Sequence, residues 1–166
     1  MAIKVFLAND HDIVREGLKN VLSKNSIFNI CGEYNSNVEL INYIEKAKPS
    51  LLFFDVISND NVIIRNLTRI RIICPKIMII AIIYVDDYMF YHDFISLEGI
   101  NGFLKIDFKT EELIKGLSVV LAGKVFIHDV IKNIKKKGEG TPPDVYGSYL
   151  LSKKRYGRKG TNSPNG

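Results

Sequence analysis

Cysteine is scarce in this chain: Cys31 and Cys74 are the only two among 166 residues. Each sits in an apolar run, with no CxxC spacing and no histidines at ligand spacing. Neither a disulfide framework nor a thiolate metal site can be built from them, and they read as reduced core residues of a cytosolic protein. Long hydrophobic runs are missing as well. The longest, Ile77 to Val85, has nine residues, against the roughly 20 that a membrane-crossing helix requires. The N-terminus enters a strand pattern directly, with no charged-then-apolar leader, which predicts a soluble cytoplasmic chain with no membrane partner. None of the 12 glycines falls in a GxGxxG or Walker arrangement, so no phosphate-cradling glycine loop is present. Cysteine, serine and further histidine are absent around His11, which argues against a nucleophilic triad there.

Basic charge is confined to one end. Residues 1–123 carry 13 Lys/Arg against 15 Asp/Glu, whereas residues 124–166 carry 10 against 3. The formal net charge of +5 therefore belongs to the tail and not to the body. Such a tail could meet nucleic acid or an acidic surface, but a basic linker is more often simply solvated. Three regions follow: a folded body over 1–123, a short additional strand and helix over 124–137, and a flexible basic tail over 138–166.

What is present is an alternation of strand and helix patterns. Ile3 to Ala8 is a buried strand, followed by an amphipathic helix from His11 to Lys24 with Val14, Leu18, Val21 and Leu22 on one face. A second strand runs from Ile27 to Glu33. Ser36 and Glu39 form a capping-box pattern for a helix reaching about Lys46, with Val38, Ile41 and Ile44 inward. Leu51-Leu52-Phe53-Phe54-Asp55 is a strand apolar on both faces that ends in an acid. Val62 to Ile73 (Ile63, Leu67 and Ile70 inward), Ile77 to Ile83, Asp86 to Gly99 and Gly102 to Ile106 continue as helix, strand, helix and short strand. Thr110, with Glu111 and Glu112, opens a helix that buries Leu113, Leu117, Val120 and Leu121 and stops at Gly123. Five βα units with right-handed crossovers predict an α/β fold: a doubly wound parallel sheet of flavodoxin-like (βα)5 type. Val125 to Lys137 adds a short extended piece and a sixth helix before a Gly/Pro linker at 138–143.

Two strands deliver acids at their C-terminal ends, Asp10 and Asp55. In open α/β sheets this edge is where ligands bind, because helices cover both faces. Two carboxylates without Cys/His ligand spacing suit a hard divalent ion such as Mg²⁺, which takes oxygen ligands and keeps several waters. One carboxylate can then act as nucleophile toward a phosphoryl group. Lys105, ending the fifth strand, is a candidate to stabilise the transferred charge.

Ala8-Asn9-Asp10-His11 followed by Val14-Arg15-Glu16-Gly17-Leu18 resembles the opening of response-regulator receiver domains of the CheY-like superfamily. The match is best with those joined to LuxR-type DNA-binding domains, which read A-D-D-H and then V-R-E-G-L. Leu51 to Asp55 is similar to the phosphoacceptor strand, and Gly99 to Lys105 to the stretch G-A-x-G-Y-L-L-K. The likeness covers about residues 2–135. It implies Mg²⁺ dependence with metal-holding positions at Asp10, Asp55 and Ile57, phosphorylation of Asp55 by a sensor histidine kinase, and dimerisation through the first and fifth or the fourth and fifth helices. Nothing after Lys137 has the length or periodicity of the family's helix-turn-helix, so direct DNA binding by this chain is not expected.

Four departures stand beside the matches. Asn9 replaces one acid of the usual pair. Asp55-Val56-Ile57-Ser58-Asn59 lacks the proline of D-x-x-M-P. Residues 77–83 contain no Ser or Thr, although the family ends its fourth strand in a hydroxyl that senses the phosphoryl group; Ile83, or Ala81, occupies the matching place. Lys105 arrives one residue early, and strand alternation turns it to the other face unless a bulge intervenes. The expected function is a phosphoacceptor receiver, not an enzyme. The alternative is a phosphorylation-independent interaction module. A phosphohydrolase ranks last, because Ile57 stands where the haloacid-dehalogenase pattern needs a second Asp. Apolar bulk at Ile57 and Val85 predicts slow self-dephosphorylation.

Overall fold

The computed structural model describes residues 1–34, 39–57, 61–84, 99–129 and 131–132. Strands β1 (Ile3–Ala8), β2 (Phe28–Tyr34), β3 (Leu51–Val56), β4 (Met78–Ile83), β5 (Gly102–Lys105) and β6 (Phe126–Ile127) form one sheet in the order β2-β1-β3-β4-β5-β6. Every pairing is parallel. Helices α1 (Asp12–Ser23), α2 (Leu40–Ala47), α3 (Asn61–Ile73) and α4 (Thr110–Leu121) connect them. None of these is long and apolar enough to cross a membrane.

Period-two alternation splits the core into two layers. Phe6, Leu52, Phe54, Ala81, Ile83 and Phe103 face α2 and α3, where Ile41, Ile44, Leu67 and Ile70 complete one cluster. Val5, Leu7, Leu51, Phe53, Ile80, Ile82 and Leu104 face α1 and α4, against Leu18, Leu22, Leu113 and Leu117. β3 and β4 are buried on both faces, which explains why their sequences read as unbroken apolar runs instead of alternating ones. The doubly wound α/β class is the one the sequence predicts.

Several details differ from expectation. α2 begins at Leu40, with Glu39 at its N-cap and no side-chain cap bond. Glu39 accepts a hydrogen bond from the Tyr34 hydroxyl at 3.3 Å; Ser36, the other half of the expected capping box, lies outside the described residues. The expected helix from Asp86, the loop residues 58–60 and the basic stretch after residue 132 lie outside the described residues. The short extended piece after Gly123 joins the main sheet as β6, and Ile131 packs into the core on the α2/α3 side.

A polar clamp fixes the end of β5. His128 is 2% exposed; its Nδ1 accepts the Lys105 backbone N–H at 3.3 Å, so the neutral ring carries its proton on Nε2 and donates to Glu112 Oε1 at 2.7 Å. Glu112 Oε2 accepts the Lys109 N–H at 2.6 Å, satisfying one orphan donor at the start of α4. The Lys109 amide first, and His128 second, hold the Glu112 carboxyl below its ordinary range. A carboxyl depressed in the folded state adds stability above its unfolded pKa, and that stability is lost as pH falls through the folded value. Glu112→Gln should therefore melt below wild type at pH 7, with the gap closing below about pH 4, near the reference carboxyl pKa. A gap unchanged from pH 7 to pH 3, followed by thermal unfolding, would contradict this.

Candidate functional site

The site grows from the carboxyl ends of β1 and β3. Ala8 pairs with Phe54 and Asp55 with Ile82, so the residues that leave β1 run beside Asp55. The Asp55 side chain is 2% exposed. An uncompensated carboxylate at that depth costs several kcal/mol, and three donors offset the cost. Asn9 Nδ2 donates to Oδ1 at 2.6 Å, the Asp10 backbone N–H to Oδ2 at 2.9 Å, and His11 Nδ1 lies 3.4 Å from Oδ2. Each charge-assisted bond of good geometry returns about 1.5–3 kcal/mol. Arg15, one turn into α1, donates to the Asn9 carbonyl at 2.6 Å and so anchors this segment.

Asn9 has a clear electrostatic reason. A second carboxylate 2.6 Å from Asp55 would force the two to share a proton or a cation, whereas the amide supplies a donor and no charge. The like-charge pressure that remains falls on Asp10. Its carboxyl is raised above its ordinary value, first by burial and then by the Asp55 charge, while His11 and Arg15 pull it the other way.

Tyr84 is the residue that sequence reasoning missed. It follows β4 directly, and period-two spacing from Ile82 puts it on the Asp55 side of the sheet. Ile83 and Ala81, the expected counterparts of the family hydroxyl, instead pack in the α2/α3 layer. The Tyr84 ring stacks on His11, with centroids 4.5 Å apart and planes 20° from parallel. Its hydroxyl is buried close to the Asp55 carboxylate but closes no hydrogen bond of good geometry. Burial, followed by the Asp55 charge, pushes the phenol pKa well up, so it stays protonated across the physiological range. The signal for Tyr84 was available: a polar-tipped aromatic one step past a strand, in phase with the acid next door. His11 had no comparable signal beyond following Asp10.

Asp10 and Asp55 are brought together, as the topology requires. Ile57 stands just beyond β3, 45% exposed; Val85 lies outside the described residues. Lys105 is not delivered to Asp55 by the sheet. The ladder runs Asp55–Ile82–Leu104 and Val56–Ile83–Lys105 without a shift, so Lys105 shares the face of Val56 and Ile83. Its ammonium lies 3.6 Å from Asp107. Ile106, the next residue, packs in the layer that Asp55 faces.

No cluster of three or more His, Cys, Asp or Glu side chains suited to a metal occurs among the described residues. The oxygen set that does exist is two carboxylates and the Asn9 Oδ1, which is buried and has no hydrogen-bond partner. Hard oxygens, one of them an unused acceptor, fit a hydrated Mg²⁺ and would not suit a softer ion.

No protein-family model matches the chain. Among curated proteins it is similar to the transcriptional regulatory protein YdfI of Bacillus subtilis, 25% identical over 134 residues, covering 80% of this chain and 62% of that protein. It is also similar to the response regulator protein VraR of Staphylococcus aureus, 30% identical over 92 residues, covering 55% and 44%. The chain thus spans less than two thirds of the length of these relatives. Among solved structures, the isolated REC domain of RcsB from Salmonella enterica serovar Typhimurium, in the presence of the phosphomimetic BeF3-, superposes with a TM-score of 0.71 at 23% identity, covering 81% of this chain and 99% of that one. A LuxR-family two-component response regulator from Aurantimonas sp. gives 0.72 at 18%, covering 85% and 100%. The chain is a homologue of response regulators, and its fold is that of their receiver domain.

Proposed function

We propose that this chain is a two-component receiver that accepts a phosphoryl group on Asp55 from a sensor histidine kinase, without turning over a substrate of its own. The observation that carries this is the Asp55 carboxylate itself, buried at the carboxyl edge of the sheet and held by donors, with Asp10 beside it. Asp10 and Asp55, with the position of Ile57, would hold Mg²⁺, and the Asn9 Oδ1 is free to accept from its water shell. The ion, when bound, would neutralise charge shared between these carboxylates and the incoming phosphoryl oxygens. Asp55 attacks phosphorus, the bond to the donor's leaving group breaks with its electron pair, and an acyl phosphate remains. Asn9 and the Asp10 amide fix the orientation of the attacking group.

A second reading, a phosphorylation-independent interaction module on the same fold, is favoured by one observation: the register sets the only lysine of β5 on the face away from Asp55. Incubation with acetyl phosphate and Mg²⁺ separates the two. Intact mass should rise by about 80 Da, one phosphoryl group, in the wild type and not in Asp55→Asn. An unchanged mass at saturating donor supports the interaction module instead.

The register also fixes what Lys105 can contribute. Lys105→Ala should alter the rate of adduct formation by less than about threefold, because its strand position is on the sheet face opposite to Asp55. Ile106→Lys, which puts an ammonium in the layer of Asp55, should accelerate the reaction by about tenfold or more, the scale of one well-aimed electrostatic contact. Loss of the adduct in Lys105→Ala would show that the side chain reaches Asp55 despite its register.

A further inference from the structure

Buried polar groups in native proteins almost always find partners, and an exception calls for an explanation. Two exceptions occur among the described residues, Asn9 Oδ1 and the Tyr84 hydroxyl, and both border the Asp55 carboxylate. One is an unused acceptor and the other an unused donor. An unused acceptor suits a hydrated cation. An unused donor next to an anionic acceptor suits an oxygen that is not there in the resting protein. The Tyr84 ring is also held in position, because it stacks on His11, whose own Nδ1 faces Asp55 Oδ2. The hydroxyl therefore sits near the Asp55 carboxylate without closing a good hydrogen bond to it.

We propose that the Tyr84 hydroxyl is a direct contact to the phosphoryl group on Asp55, donating a hydrogen bond to one of its oxygens, and that His11 is the positioning residue that holds the ring for it. The inference rests on Asp55 being the acceptor. No proton leaves Tyr84 at any point: a phenol is protonated at neutral pH, so it offers a donor and no opposing charge. The fourth strand has no serine or threonine of its own, so Tyr84, one residue past its end, supplies the hydroxyl on the sheet face of Asp55. A hydroxyl retained for structure would have a partner in the resting protein. One retained for a ligand leaves the resting protein paying a small penalty in stability.

That distinction makes the test two-sided. Tyr84→Phe removes one oxygen and keeps the ring and its stacking. The full chain is treated with acetyl phosphate and Mg²⁺, and the mass gain is followed in time beside the melting temperature of the untreated protein. The proposal expects wild type to gain the phosphoryl group, Tyr84→Phe to do so at least about tenfold more slowly, the weight of a hydrogen bond to a charged group, and the variant to melt no lower than wild type. Equal rates overturn the role of Tyr84 and leave Asp55 as acceptor intact. A slower rate accompanied by a lower melting temperature overturns it too, because the hydroxyl would then be structural. No adduct on wild type at saturating donor overturns both.

Discussion

The buried Asp55 carboxylate and the donors gathered around it are the constraint on which the rest of the molecule depends. β3 is covered on both faces, so an acid at its end has water on almost no side. Such a charge survives only if hydrogen bonds replace its hydration shell. Asn9, the Asp10 amide and His11 do this, and all three come from the turn between β1 and α1. The parallel pairing of β1 with β3 is what brings that turn within reach. Arg15 ties the same turn to the first helix. Sheet order, helix start and site geometry are thus parts of one electrostatic solution.

The departures from the receiver pattern fall into place around that charge. Replacing an acid by Asn9 relieves repulsion and supplies a donor, which makes the resting state easier to hold without a cation. The ladder sets Lys105 on the sheet face of Val56 and Ile83, opposite to that of Asp55. Tyr84 and His11 close over the carboxylate with aromatic rings, one of them bearing a hydroxyl. At the carboxyl end of β5, the His128–Glu112 clamp ties the Lys105 amide to the start of α4.

Most of the fold was legible because its signals are local and redundant. Apolar runs of strand length, amphipathic helix spacing and turn residues all agreed, and parallel crossovers left few ways to assemble them. The pairing of Asp10 with Asp55 followed from the same logic, as did the displacement of Lys105, which strand alternation alone dictates. Tyr84 is not marked by the apolar run of β4, which ends at Ile83, whereas the sheet face of Asp55 continues one residue further. His11 reads as an ordinary helix-start residue until the fold supplies Tyr84 as its stacking partner. The clamp between His128 and Glu112 joins residues 16 apart through a strand that sequence shows only as a short extended piece, so no local pattern could announce it.

The proposed Mg²⁺ site is a buried, donor-held carboxylate with an acidic neighbour, offering hard oxygen ligands. Calorimetric titration of the wild type with Mg²⁺, alongside Asp10→Asn, tests it most directly. A saturable single-site isotherm that is lost in Asp10→Asn is the predicted result. Absence of binding to the wild type at millimolar Mg²⁺, or binding unchanged by the substitution, would contradict it.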